Sequence, residues 1–127
     1  TYHGPGQRIA YVMLDLQRRG ADVRAHVRRL EEWALRALAR LGIAAERRSE
    51  RIGLWVPRDP QESGEDKIAA VGVRVRHWVT YHGLAINCDP RLEAFAGIVP
   101  CGIAPGRFGV TSVRALAIPA TLADLGI

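Results

Sequence analysis

Two side chains in this sequence have the types that covalent catalysis needs. Cys101 sits between a proline and a glycine in IVPCGI, residues 98–103, and Lys67 opens the apolar run KIAAVGV. A thiol becomes a nucleophile when it ionises near neutral pH, which requires a nearby cation or aligned backbone N–H donors, and access for a substrate. Pro100 stiffens the approach, and Gly102 permits a close backbone whose N–H can face a developing oxyanion. The same local pattern suits a buried structural cysteine, because free cysteines are among the most buried residues. Lys67 follows a polar loop, where an ammonium can face a pocket on a rigid strand, lower a thiol pKa and shuttle a proton; it can equally end a solvated strand. His3 in YHGPG and His82 in YHGLA each precede a glycine. Either can be an acid, a base or a structural hydrogen-bond donor. Cys88 in INCDP has no comparable setting and reads as structural.

The elements that must hold these groups follow from patterning. TYHGPGQ, residues 1–7, reads as a loop with special backbone geometry, and RIAYVMLDL, residues 8–16, as a buried strand. Asp22 can cap a helix whose apolar positions Val23, Val27, Leu30, Ala34, Leu38 and Leu41 recur at helical spacing, with Gly42 as the stop. The opposite face carries Arg24, Arg28, Arg36 and Arg40 and reads as a solvated surface. IAAERR and GLWV look like short strands separated by a charged turn, and PRDPQESGED, residues 57–66, like a polar, mobile loop. KIAAVGVRVRHW and VTYHGLAIN are strand candidates, the first with Val71, Val73 and Val75 on one face. DPRLEAF makes a short helix, and the tail from Thr111 mixes a helical stretch with PATLADLGI. Together these predict an α+β fold, a mixed sheet with packing helices.

Composition narrows the function classes. The chain has 127 residues, 48% hydrophobic and 24% charged, which fits one globular domain or part of a larger one and not a disordered chain. It does not begin with Met, so a processed or incomplete chain is expected. No apolar run reaches the ~18–20 residues of a membrane span, and two cysteines are too few for a disulfide framework, so a reduced, cytoplasmic setting is expected. The net charge of +5 admits nucleic acid, an anionic membrane or an acidic protein as partner. Dispersed arginines and few aromatics argue against nucleic acid. The sequence lacks H-E-x-x-H, paired C-x-x-C and a full phosphate loop, so neither a metal centre nor P-loop chemistry is expected.

TYHGPGQ, GLWV, KIAAVGVRVRHWVTYHGLAIN and IVPCGI stand in the same order and with similar character as in the octanoyltransferases of lipoate biosynthesis, the lipoyl(octanoyl) transferases. The resemblance covers nearly the whole chain and rests on the combination of motifs. It implies the α+β fold shared with biotin and lipoate protein ligases. It implies transfer of an octanoyl group from octanoyl-acyl carrier protein to a lysine on lipoyl domains of 2-oxoacid dehydrogenases or on the glycine cleavage H protein. It gives Cys101 the acyl thioester and Lys67 the lowering of the thiol pKa and the movement of protons. Thr1, Tyr2, His3, Ala70, Val71, Gly72, Gly83, Leu84 and Ala85 would line the acyl site, with His82 beside the dyad, orienting it. No cofactor or metal is implied, and the chain is expected to act as a monomer, with no nucleic acid or membrane as partner. Small apolar residues suit an acyl slot, and an acidic carrier protein suits the basic charge.

The sequence departs from the family pattern at its start. Family members carry a longer N-terminal portion with an Arg-Gly-Gly motif just before the residues matching 1–3, so residues 1–127 are expected to be a partial catalytic domain. The loop at 57–66 also looks longer than usual. Two other readings compete: an ATP-dependent lipoate or biotin ligase, against which the PCG and KIAA motifs argue, and a non-catalytic protein-binding module, because fold alone does not establish function.

Overall fold

The computed structural model describes residues 3–95, 107–116 and 118. Its one α-helix among these, α1 (Val23–Arg40), begins where the sequence predicts: the Asp22 carboxylate accepts a hydrogen bond from the Ala25 N–H at 3.0 Å, replacing one of the partners a first turn lacks. Leu30, Ala34, Ala37 and Leu38 form its buried stripe, while Arg24, Arg28, Arg36 and Arg40 are exposed. His26 and Glu31 are buried as well, which the apolar periodicity did not predict. Leu41 closes the helix through its N–H to the Leu38 carbonyl at 2.9 Å, followed by Gly42 at φ +83°.

The helix packs on a six-stranded sheet formed by β1 (Gln7–Tyr11), β2 (Glu46–Arg48), β3 (Arg51–Pro57), β4 (Glu65–Arg76), β5 (Val79–Asn87) and β6 (Phe108–Val110). Strands run β1-β5-β4-β3-β2 with antiparallel neighbours, and β6 pairs parallel with the start of β4. The expected mixed α+β architecture is thus present, with one packing helix and two short 3-10 turns, Leu16–Arg19 and Leu92–Phe95, among the described residues. β4 and β5 form a hairpin whose two loop residues, His77 and Trp78, both have left-handed backbone (φ +51° and +64°), the twist that suits a two-residue turn.

Alternation gives the sheet two different faces. Val71 lies opposite Leu84 and packs with Leu30, Ala34 and Leu38 of α1, Leu54, Ile68, Ile86 and Cys88 into the core. Ala70 opposite Ala85 and Gly72 opposite Gly83 belong to the other face. This corrects the reading of residues 8–16 as a buried strand. Ala10 and Val12 pack on the core, but Tyr11 and Met13 are 65% and 64% exposed because they alternate onto the face away from the helix. The loop predicted at 57–66 is shorter and tied down. β3 runs to Pro57, β4 starts at Glu65, and the Arg58 guanidinium donates to the Asp66 carboxylate at 2.7 Å across its neck.

Candidate active site

The face away from α1 carries a cavity of about 330 Å³ lined by His3, Ile9, Ile52, Lys67, Ala70, Val71, Gly72, Gly83, Leu84 and Ala85. Its floor is a ladder of small residues, with Ile9 opposite Ala85, Ala85 opposite Ala70, and Gly83 opposite Gly72. A Cβ at Gly83 would overlap the Ala10 carbonyl oxygen, so the glycine lets β1 and β5 close up beneath the cavity. At Gly72 an added Cβ would meet nothing within 4 Å; the space in front of it is the cavity itself. A narrow, mostly apolar slot near the small end of the ~300–1,000 Å³ typical of ligand sites suits a slender apolar chain.

Eight residues predicted from the sequence therefore converge on one cavity: His3, Lys67, Ala70, Val71, Gly72, Gly83, Leu84 and Ala85. Ile9 and Ile52 complete the lining and were missed. Ile9 stood in a stretch read as a buried strand, where an isoleucine reads as core, and Ile52 in the charged turn before GLWV, which gave no sign of a site. His82 is not among the lining residues: it pairs opposite Val73, six residues along β4 from Lys67, and its ring lies 6.4 Å from that of Tyr11. Six strand residues span roughly 20 Å, so the described geometry does not bring His82 to Lys67. Thr1, Tyr2 and Cys101 lie outside the described residues.

Lys67 reaches the cavity because β4 carries a bulge. Leu54 pairs with Ala69 and Trp55 with Lys67, so two consecutive residues of β3 span three of β4, and Ile68 is the extra one. Ile68 and Ala69 are both core residues, at 0% and 1% exposure, and the phase change leaves Lys67 on the same face as Ala70 and Gly72. Lys67 is the only lysine in the chain; the other 17 of its 18 basic residues are arginines. Arginine does not give up its proton in proteins, so Lys67 is the one Lys or Arg side chain whose chemistry admits proton transfer. Its Nζ lies 5.6 Å from the centre of the buried Trp55 ring.

The same end of β4 anchors the connection that contains Cys101. Asn87 ends β5 on one side; on the other, β6 pairs Phe108 with Glu65 and Val110 with Lys67, and the Thr111 N–H donates to the Lys67 carbonyl at 2.9 Å. A stack clamps β6 in place. The buried Arg51 guanidinium lies 4.4 Å from the Trp55 ring centre and 3.9 Å from that of Phe108, and the two rings meet edge to face at 5.6 Å. Guanidinium faces on aromatic rings are favourable, more so when desolvated. Glu65 balances the charge, 3.2 Å from Arg51 and 3.1 Å from Arg48. Hydrogen bonding to Glu46, then to Glu65, raises the Arg48 pKa further above its ordinary value, so Arg48 keeps its charge.

The lipoyl protein ligase A/B catalytic domain model matches residues 1–125. The chain is 60% identical over 125 residues to an octanoyltransferase of Paramagnetospirillum magneticum, covering 98% of this chain and 57% of that protein. It is 56% identical to an octanoyltransferase of Bradyrhizobium diazoefficiens, covering all of this chain and 51% of the relative. An octanoyltransferase of Rhodopseudomonas palustris is 53% identical, with 100% and 55% covered. The chain thus spans about half the length of the curated relatives it matches. A family model that runs over all but the last two residues settles the kinship: the chain belongs to the lipoyl protein ligase A/B catalytic domain family.

Proposed function

We propose that residues 1–127 form part of an octanoyltransferase catalytic domain that moves an octanoyl group from octanoyl-acyl carrier protein to a lysine of lipoyl domains. The acceptors are the lipoyl domains of 2-oxoacid dehydrogenases and the glycine cleavage H protein, and the setting is a cytoplasmic monomer. The observation that carries this reading is the slot of Ala70, Gly72, Gly83 and Ala85 with Lys67 in its wall. The names of the relatives support the activity. The two anchored ends of the Cys101 connection, both at the Lys67 end of β4, support the pairing of the two residues.

In this reading the Cys101 thiolate attacks the octanoyl thioester carbonyl, a new C–S bond forms, and the C–S bond to the carrier breaks. The Lys67 ammonium favours the thiolate and gives its proton to the departing carrier thiolate. The exchange of one thioester for another is nearly balanced in energy. The acceptor amine then attacks the acyl-enzyme, the amide C–N bond forms, Cys101 leaves, and neutral Lys67 takes the proton released by the amine. The donor arrives activated, so the reaction as proposed consumes no ATP.

The test is intact-protein mass after mixing the chain with octanoyl-acyl carrier protein. The expected result is a single octanoyl adduct, absent in Cys101→Ala and formed on the order of 10²–10⁴-fold more slowly in Lys67→Ala, the range for a lost acid–base group. A folded chain that stays unmodified means that Cys101 is not a working nucleophile in residues 1–127 and leaves an inactive fragment or a protein-binding module.

A further inference from the structure

Gly53 stands where the Lys67 side chain crosses β3. Its backbone is left-handed, φ +107°, and a Cβ built there would overlap Cε of Lys67 and stand 2.7 Å from the Ala69 carbonyl oxygen. Real Cβ atoms essentially never come within 3.0 Å of another heavy atom. The glycine therefore does two things at once. It lets β3 follow the bulge at Ile68, and it leaves the gap through which the lysine stem passes toward the cavity, under the influence of the Trp55 ring.

We propose that Gly53 is a positioning residue for Lys67: the missing side chain, together with the Ile68 bulge, fixes the direction of the lysine amine. It touches no substrate and acts only through Lys67. The catalytic consequence rests on the reading given under Proposed function, whereas the positional claim does not. An L side chain at position 53 strains the backbone in any case, so loss of stability alone would not distinguish positioning from folding. The discriminating readout must follow Lys67 itself.

The chain offers one directly. With a single lysine, a chain labelled with ¹³C at the lysine ε-carbon gives one ε-methylene signal, shifted by the Trp55 ring. Gly53→Ala is expected to move that signal toward the value of a free lysine while the remaining spectrum stays dispersed. An unmoved signal in folded Gly53→Ala overturns the proposal. Should Gly53→Ala fail to fold, the Gly53→Ala/Lys67→Ala pair decides. Recovery of the fold on removing the lysine stem supports the contact, and continued failure assigns the clash to the Ala69 carbonyl and the backbone, against the proposal.

A second measurement separates this inference from the transferase reading. The rate at which iodoacetamide alkylates Cys101 across pH reports its thiolate fraction. Lys67→Ala should slow alkylation at pH 7 by about tenfold per unit of thiol pKa shift, Gly53→Ala should do the same, and the double variant should be no slower than Lys67→Ala. If Lys67→Ala leaves the profile unchanged, the transferase reading loses its base, and the ¹³C signal still decides the position of the lysine. If Lys67→Ala shifts the profile and folded Gly53→Ala does not, the positioning role fails.

Discussion

At the scale of single residues, the cavity face turns on which positions carry no side chain. Because a Cβ at Gly72 meets only open space, Gly72→Val should leave the fold intact and shorten the slot. Under the proposed reaction, transfer of octanoyl groups is expected to fall by roughly 10–200-fold, the worth of about one methylene in an apolar pocket, with shorter acyl donors gaining in relative rate; competition between hexanoyl and octanoyl donors checks this. His26 makes a second residue-level prediction, about stability. Burial, with Arg29 and Arg19 adding to it, lowers its pKa below the usual value, and its Nε2 has no hydrogen-bond partner. The unfolded chain therefore takes the proton first. Stability is fully present above about pH 6.5, the unfolded value, and is lost as pH falls from there through the lower folded value. Thermal melts at pH 7 and pH 5 should show a smaller acid-induced drop in His26→Leu than in the parent. The glycines of the slot were legible through the resemblance of the AVG and GLA segments to the family motifs. Nothing in the sequence pointed to His26, whose burial depends on a helix face that reads as mixed.

At the scale of elements, the capped helix and the strand β4 were readable because local signals, an Asp cap and the alternation of Val71, Val73 and Val75, agree with the packing they enter, whereas the turn at His77 and Trp78 was read as strand. The bulge was not readable. Ile68 and Ala69 are both apolar, so nothing in KIAAVGV marks the point where the strand changes phase and turns Lys67 away from the core. Nor was the clamp on β6 legible, since Arg51, Trp55 and Phe108 are brought together only by the parallel pairing of β6 with β4. That clamp predicts that Phe108→Ala loosens one edge of the site while the core, built on α1, stays whole. A loss of about 1–3 kcal/mol is expected for a partly buried aromatic. Hydrogen exchange should show it first at the Thr111 amide, which bonds the Lys67 carbonyl, with protection falling about tenfold or more there, each tenfold being about 1.4 kcal/mol. Unchanged exchange at Thr111 would mean that the stack does not hold β6.

At the scale of the whole molecule, α1 carries a positive face of its own. The exposed arginines of α1 lie on the side of the sheet opposite the slot, in a chain of net charge +5. If an acidic carrier is the donor, Arg24→Glu/Arg28→Glu/Arg40→Glu should lower kcat/KM with the protein-bound donor at low salt, the difference closing as ionic strength rises. A small octanoyl thioester should be used equally well by both proteins; equal loss with both donors would place the effect on folding instead. No helix among the described residues is long and apolar enough to cross a membrane. The use of arginine for 17 of 18 basic positions also has a chemical result. Guanidinium groups supply an attractive field yet offer no free amine at neutral pH. Under the proposed reaction, an activated acyl group carried by residues 1–127 meets no lysine there other than Lys67 itself to compete with the true acceptor.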